Sequence, residues 1–183
     1  MGRRVGVLVS GEGSNLQALL HAGVEVAAVA ANNAEARGLT RADLAGVPTA
    51  SFRLDDYADR DARDAAMADW LETHGVQLVV CAGYMHLLRP CFLERFPGAV
   101  VNVHPALLPA FPGAHAIEEA LAAGVAEAGA TVHLVDEGVD TGPVLRQERV
   151  LVHAGDTRES LHARIREVEH RLLLEVVKEL AQA

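Results

Sequence analysis

Residues 4–21, Arg-Val-Gly-Val-Leu-Val-Ser-Gly-Glu-Gly-Ser-Asn-Leu-Gln-Ala-Leu-Leu-His, place a strand, a glycine-rich turn and a helix in direct succession. Valine and leucine in residues 4–9 favour a buried strand, and the apolar spacing of residues 16–21 predicts a helix. Between them, the glycines of residues 10–15 let backbone amides approach an anion, and the helix N-terminus that follows favours negative charge. The stretch therefore predicts the first βα unit of an α/β fold with a phosphate-type loop.

This loop matches neither of the two common phosphate-binding patterns. It lacks the Gly-Lys-Ser/Thr of a Walker A loop, and Leu16 stands where a dinucleotide fingerprint has its third glycine. An ordinary βα turn without a ligand remains the alternative interpretation.

The same alternation continues through the chain and predicts the fold class. Valine-rich and other apolar runs predict strands that alternate with amphipathic helices, and two strands then follow each other across a turn. We expect a three-layer, Rossmann-like α/β fold, with a mostly parallel sheet that becomes mixed toward the C-terminal half and helices on both faces. The predicted strands are residues 4–9, 24–31, 47–52, 76–82, 100–104, 130–135 and 144–152, and the helices are 16–21, 38–45, 59–74, 90–96, 114–123 and a final one capped at 156–160.

Length and composition limit the class of protein. A chain of 183 residues is expected to form one domain, residues 1–183. Its net charge of −9, without a basic run, argues against nucleic acid as a partner. No apolar run is long enough to span a bilayer and no signal peptide is apparent, so we expect a cytoplasmic protein without a membrane partner. Cys81 and Cys91 have no partners at zinc-site spacing, and neither a disulfide nor a metal is expected.

The chemistry is expected at residues 100–113, Val-Val-Asn-Val-His-Pro-Ala-Leu-Leu-Pro-Ala-Phe-Pro-Gly. Pro105 ends the strand, and alternation places Asn102 and His104 on one face. The carboxyl edge of an open α/β sheet is where ligands bind. An amide stabilises a developing oxyanion and an imidazole shuttles protons, although a polar pair satisfied inside the protein is the alternative.

Two acidic positions accompany this pair. Asp140 lies in the turn of residues 136–143, and a carboxylate beside His104 would raise the pKa of the imidazole and make it a better proton donor at neutral pH. Spacing alone does not show that the two residues meet. Glu169 lies in the middle of the final helix, where the pattern by itself indicates a solvated side chain.

Four motifs in order resemble phosphoribosylglycinamide formyltransferases, over about residues 5–170. They are Ser-Gly-x-Gly-Ser-Asn-Leu-Gln at 10–17, Ala-Gly-Tyr-Met at 82–85, Asn-x-His-Pro-x-Leu-Leu-Pro at 102–109, and Val-His-x-Val-x-x-x-x-Asp-x-Gly-Pro at 132–143. This resemblance implies formyl transfer from 10-formyltetrahydrofolate to the amine of phosphoribosylglycinamide, without a metal.

The resemblance also implies a role for individual residues. The N-terminal half would hold the substrate phosphate, and the C-terminal half would bind folate and carry catalysis. Asn102, His104 and Asp140 would be catalytic, with Asn102 and Asp140 also at the folate. The substrate would contact Gly13, Ser14, Asn15 and Glu169, and the folate would contact Arg60, Met85, His86, Leu87, Leu88, Asp136, Glu137, Gly138 and Val139.

Departures from the family pattern and rival interpretations remain open. The family often has serine at Ala106, a cation at Ala110 and arginine at His86, which puts the binding of anionic ligands in doubt. A formyltetrahydrofolate hydrolase typically carries an extra N-terminal domain, for which this chain has no room. A methionyl-tRNA formyltransferase appends a basic domain, and a non-catalytic nucleotide-binding module would leave Asn102, His104 and Asp140 unexplained. The oligomeric state stays open between a monomer and a homodimer.

Overall fold

A computed structural model describes residues 2–183 and shows one seven-stranded sheet flanked by helices. The helices differ in length from four residues (Pro90–Leu93) to 25 (Arg158–Gln182). In chain order the elements are β1 (Val5–Val9), α1 (Ser14–His21), β2 (Val26–Ala31), α2 (Arg37–Leu44), β3 (Thr49–Ser51), a 3-10 turn (Leu54–Asp56), α3 (Arg60–Thr73), β4 (Leu78–Cys81), α4 (Pro90–Leu93), β5 (Val100–His104), α5 (Ala116–Ala122), β6 (Glu127–Leu134), β7 (Val144–Leu151) and α6 (Arg158–Gln182).

The strand order is β3-β2-β1-β4-β5-β6-β7. The first five strands in this order are parallel, whereas β6 pairs antiparallel with both β5 and β7. From β1 the chain adds β2 and then β3 on one side, and it then crosses back to place β4 on the other side of β1. The connections on the two sides of β1 therefore run in opposite directions. Such a divergence opens a crevice at the carboxyl ends of the strands.

Helices cover both faces of the sheet, as the alternation of elements predicts. On one face α6 contacts β6, β7, α1 and α5, and on the other α3 contacts α4. Every residue of β1, β2 and β4 is buried, as expected of central parallel strands covered on both sides. The predicted three-layer mixed α/β fold is confirmed.

Several element boundaries differ from the predicted ones by up to three residues, and two strands show the physical reason. β6 begins at Glu127 rather than at Ala130, because residues 127–129 pair with Leu151, Val150 and Arg149 of β7. Glu-Ala-Gly lacks the β-branched residues that mark a strand in a sequence, so only the partner strand defines this start. β3 is limited to Thr49–Ser51, and Pro48 just before it has no N–H for a ladder bond.

The long helix α3 carries two charged side chains that are completely buried. In α3 the Asp59 side chain accepts the Ala62 N–H at 2.8 Å and caps the N-terminus. Arg63 and Asp64 on this helix are completely buried, although charged residues on an amphipathic helix are usually solvated. Among residues 2–183, no helix combines the length and apolar character needed to cross a membrane.

Candidate active site

A cleft of about 660 Å³ opens at the carboxyl ends of β1, β4 and β5. Its volume is in the range of pockets that hold small organic ligands. Most of the residues predicted for the site line it, namely Gly13, Ser14, Asn15, Met85, His86, Leu87, Leu88, Asn102, His104, Asp136, Gly138, Val139, Asp140 and Glu169. Arg60 and Glu137, predicted at the folate, do not belong to its walls.

The glycine-rich loop forms one end of the cleft. Gly13 precedes α1 with a φ of 69°, a left-handed conformation that favours glycine. A Cβ on Gly13 would lie 2.6 Å from the Gly38 Cα, so the loop also needs glycine to pack against α2. No side chain caps α1, which leaves the amides of its first turn free of a capping partner beside the cleft. These amides and the helix dipole form a suitable anion site.

Asn15 extends this end of the cleft with a side chain. The residue is 8% exposed, and its Oδ1 is buried without a hydrogen-bond partner in the described structure. An unpaired buried amide oxygen costs free energy unless a ligand or water supplies a donor. Asn15 is therefore prepared to accept a hydrogen bond from a bound molecule.

Asn102 and His104 project from β5 on the same side of the strand, as alternation predicts. His104 is buried, with Nδ1 3.3 Å from Asp140 Oδ2 and Nε2 2.8 Å from the Phe111 carbonyl oxygen. Both partners are acceptors, and a neutral imidazole has only one N–H to donate. The protonated ring satisfies both contacts at once, so this arrangement favours His104 as a proton donor.

Asp140 is brought to His104 by a turn with an unusual backbone. Its φ is 54°, which asparagine and aspartate tolerate better than most residues. Oδ2 accepts the Gly113 N–H at 2.8 Å, and Oδ1 lies 3.3 Å from Asn102 Nδ2. Burial acts to raise the pKa of Asp140, but the contact with His133, the Gly113 hydrogen bond and the charge on His104 lower it overall. The carboxylate is thus held in its charged form between the two other predicted catalytic residues.

His133 also belongs to this cluster, and sequence reasoning assigned it no role. It pairs directly with Asn102 across the antiparallel β5 and β6. His133 Nδ1 lies 2.8 Å from the Leu134 carbonyl, so Nδ1 carries the hydrogen. Nε2, 3.2 Å from Asn102 Nδ2 and 3.5 Å from Asp140 Oδ1, accepts from the amide when the ring is neutral. Position 133 falls inside a motif of the resemblance, which is the only signal in the sequence that singles it out.

Two backbone groups complete the contacts around His104. The Phe111 carbonyl accepts from His104, and the Gly113 N–H donates to Asp140. Phe111 has a φ of 52°, a conformation that a bulky side chain rarely adopts. Phe111 and Asp140 are the two non-glycine residues with positive φ in residues 2–183, and both contact His104. Strained residues concentrate at functional sites, where the surrounding structure holds them in place.

Glu169 lies on the cleft wall contributed by α6 and is 6% exposed, contrary to the solvated position that pattern alone indicates. Burial raises the pKa of Glu169 to about 7, with Arg166 acting in the opposite direction. A carboxyl group in such an environment binds a proton, a hydrogen-bond donor or a cationic group near neutral pH.

The segment after β4 forms an apolar wall. Met85 and Leu87 are 62% and 44% exposed, while Leu88 is buried. Large apolar side chains left in contact with solvent beside a cleft indicate a ligand-binding surface. The turn with Asp136, Gly138 and Val139 also lines the cleft, and Val139 is 46% exposed.

Comparison with known proteins assigns this architecture to a class of enzyme. The formyl transferase family model matches residues 3–177, and the chain belongs to this family. The predictions of the family and of a formyl-transferring enzyme are thereby confirmed.

Individual relatives are similar along most of their length. A phosphoribosylglycinamide formyltransferase from Mycobacterium tuberculosis is 50% identical, over 97% of this chain and 85% of its own. The crystal structure of a glycinamide ribonucleotide transformylase 1 from Geobacillus kaustophilus has a TM-score of 0.95 at 39% identity, covering 99% of this chain and 100% of that one. The phosphoribosylglycinamide formyltransferase of Streptococcus pneumoniae has a TM-score of 0.93 at 44% identity, covering 97% of this chain and 98% of that one.

Proposed function

We propose that the protein transfers a formyl group from 10-formyltetrahydrofolate to the amine of phosphoribosylglycinamide, a step of purine biosynthesis. The names of these relatives support this acceptor, and the pathway follows from the resemblance of the motifs. The donor follows from the resemblance of the motifs, and it is a substrate of the reaction. A cytoplasmic location and action of residues 1–183 as one formyltransferase domain belong to the same proposal.

The contacts of His104 carry the chemical part of this proposal. Its two nitrogens face Asp140 and the Phe111 carbonyl, and Asn102 is beside it on the cleft wall. A formyl oxygen that takes the place of the Phe111 carbonyl at His104 Nε2, and that shares the Asn102 amide, would bring two donors to one oxyanion. Such an oxyanion arises whenever a nucleophile attacks a formyl carbonyl.

The reaction proceeds by attack of the acceptor amine on the formyl carbon. The carbonyl electrons move to oxygen and form a tetrahedral oxyanion that Asn102 and His104 stabilise. His104 donates its proton to the folate nitrogen as the carbon–nitrogen bond to the folate breaks and the oxyanion re-forms the carbonyl. The neutral ring then takes the proton that the former amine nitrogen must lose, and Asp140 stabilises the charged ring of His104 before and after this exchange.

Substrate placement follows from the two ends of the cleft. The free amides of the α1 N-terminus suit the acceptor phosphate, with Gly13, Ser14 and Asn15 around it. Glu169 is placed to meet the glycinamide end. Residues 85–88 and the turn at 136–140 suit the flat folate ring, while Arg60 and Glu137 would reach only parts of folate that extend beyond the cleft. Holding both substrates in one cleft makes the encounter of amine and formyl carbon effectively unimolecular.

The decisive assay supplies 10-formyltetrahydrofolate with and without phosphoribosylglycinamide and follows tetrahydrofolate and formate. We expect tetrahydrofolate to form only with the acceptor present and without release of formate. Formate release at a rate independent of the acceptor would identify a hydrolase instead. His104→Asn, which removes Nε2, should abolish the acceptor-dependent reaction, whereas His153→Asn at an exposed position outside the cleft should retain it.

A further inference from the structure

A chain of polar side chains joins the apolar wall of the cleft to the glycine-rich loop, and the proposed chemistry does not use it. It runs from Ser10 through Asn32 and His86 to Arg63 and Asp64. His86 is its central member and belongs to the segment predicted to hold the folate. Both ring nitrogens of His86 contact other side chains, Nε2 the Asn32 amide and Nδ1 Arg63.

At one end this chain joins the segment after β4 to the end of β1. Ser10 Oγ accepts the Met85 N–H at 2.9 Å, and Ser10 N donates to the Gly83 carbonyl at 3.2 Å. The Asn32 amide lies 2.6 Å from Ser10 Oγ and 3.1 Å from His86 Nε2. The orientation of Ser10, and with it the position of Met85, thus depends on Asn32.

At the other end the chain includes a buried ion pair. Arg63 and Asp64 are completely buried, with Arg63 Nε 2.7 Å from Asp64 Oδ1. Asp64 Oδ2 accepts the Arg89 N–H at 2.8 Å, just beyond the segment. Arg63 Nη1 lies 2.7 Å from His86 Nδ1, while Arg63 Nη2 has no hydrogen-bond partner in the described structure. A buried guanidinium that lost His86 as acceptor would have two unpaired nitrogens, which is costly in a buried site.

These contacts define the protonation of His86. Arg63 has only donors, so His86 Nδ1 is the acceptor and Nε2 carries the hydrogen. The Asn32 amide satisfies both neighbours when its oxygen accepts from His86 Nε2 and its nitrogen donates to Ser10 Oγ. Burial and the charges of Arg63 and Arg60 lower the pKa of His86, although Asp64 acts in the opposite direction. A neutral ring is the form that fits between these partners.

We propose that His86 is a positioning residue for the formyl donor: its ring connects Arg63 to Asn32 and so holds Met85 and Leu87 in place on the cleft wall. This inference rests on the proposed function, because the donor is the ligand of that wall. His86 does not itself need to touch the reacting atoms. It acts through the segment that it holds, and the acceptor site at the α1 N-terminus is built from other groups.

The test compares three substitutions at position 86. His86→Asn keeps an acceptor at the place of Nδ1, His86→Gln reaches the place of Nε2, and His86→Leu keeps bulk without hydrogen bonds. His153→Leu is the matched control at an exposed position outside the cleft. For each variant we would measure the KM of both substrates, kcat, and hydrogen exchange of the Met85 amide.

We expect His86→Leu to raise the KM for 10-formyltetrahydrofolate about tenfold, a loss equivalent to one charge-assisted hydrogen bond. The KM for phosphoribosylglycinamide should change by less than about twofold, and the Met85 amide should exchange faster. His86→Asn, which satisfies Arg63, and His86→Gln, which reaches Asn32, should each restore only part of both properties, because the proposal holds the wall through both contacts. If His86→Leu does not fold, the comparison of His86→Asn and His86→Gln with the wild type tests the same role.

Equal changes in both KM values, or a lower melting temperature with unchanged kinetics and exchange, would overturn the positioning role. An inactive wild-type protein would instead overturn the proposed function. In that case faster exchange of Met85 in His86→Leu, with partial recovery in His86→Asn and in His86→Gln, would still support the role of His86 in holding the segment.

Discussion

The two ends of the cleft are built in different ways. The glycine-rich loop consists of consecutive residues and offers mainly backbone amides, with Gly13 held against α2. The cluster around His104 draws its members from β5, β6 and two turns, and it acts mainly through side chains. A local motif therefore predicts an anion site well, whereas a catalytic cluster depends on groups that only folding brings together. Substitutions in the glycine-rich loop should therefore alter the fit of the backbone to the phosphate, and substitutions around His104 should alter proton transfer.

The largest expected effect is at the side-chain end. Asp140→Asn should lower kcat on the order of 10³-fold, because the amide does not stabilise the charged form of His104. Asparagine tolerates the left-handed backbone at this position, so the melting temperature should change little. Steady-state kinetics and thermal unfolding would check this, with Asp55→Asn at an exposed site as the control. Wild-type turnover in the Asp140 variant would remove the main distinction between the two ends.

At the backbone end, Gly13→Ala should raise the KM for phosphoribosylglycinamide about tenfold while the KM for the folate changes little. It should also destabilise the protein by about 2 kcal/mol or more, because the new Cβ adds a collision with Gly38 to the cost of positive φ.

Gly46→Ala separates the two causes of destabilisation. Gly46 has a φ of 72° and nothing within 4 Å of a new Cβ, so only the conformational cost of about 1 kcal/mol applies. Equal losses of stability in the two variants, measured by urea unfolding, would show that close packing against α2 is unimportant.

Glu169 lies between the two ends and combines binding with stability. Glu169→Gln should raise the KM for phosphoribosylglycinamide roughly fivefold by loss of the carboxylate. Burial raises the pKa of Glu169 from 4.5 to about 7. Between these two pH values the unfolded chain has released the Glu169 proton, whereas the folded wild-type protein still holds it. Wild-type stability should therefore fall across this range, by about 3 kcal/mol relative to the glutamine variant.

Urea unfolding of both proteins from pH 4 to pH 8 measures this difference, and comparison with the variant cancels the other titrating groups. A constant difference between the two proteins across this range would mean that Glu169 is solvated in solution, contrary to its position in the fold.

The smallest effect is expected at His133. His133→Leu should lower kcat about threefold with little change in either KM, because Asn102 loses one of its two acceptors and keeps Asp140. His133→Gln, which retains an acceptor near the place of Nε2, should recover much of the loss. An effect as large as that of Asp140→Asn would extend the catalytic cluster to four side chains.

We could predict from the sequence the order of strands and helices, the mixed sheet, the glycine-rich loop and the family. These features depend on local periodicity, on consecutive residues and on motifs in a constant order, all of which are present in the unfolded chain. The proximity of Asn102 and His104 can be predicted in the same way, because residues two apart on a strand lie on the same face of the sheet. Their roles, and those of the other predicted site residues, stay predictions until they are tested.

The groups that surround Asn102 and His104 come together only in the folded chain and could not be predicted from the sequence. The register between β5 and β6 sets His133 opposite Asn102, and the turns bring the Phe111 carbonyl and Asp140 to His104. Charged side chains on helices look alike in a sequence, yet Arg63 and Glu169 are buried by elements far away along the chain. Burial removes water and strengthens every electrostatic contact that remains, so the protonation and pairing of these groups depend on the assembled fold rather than on their own segments.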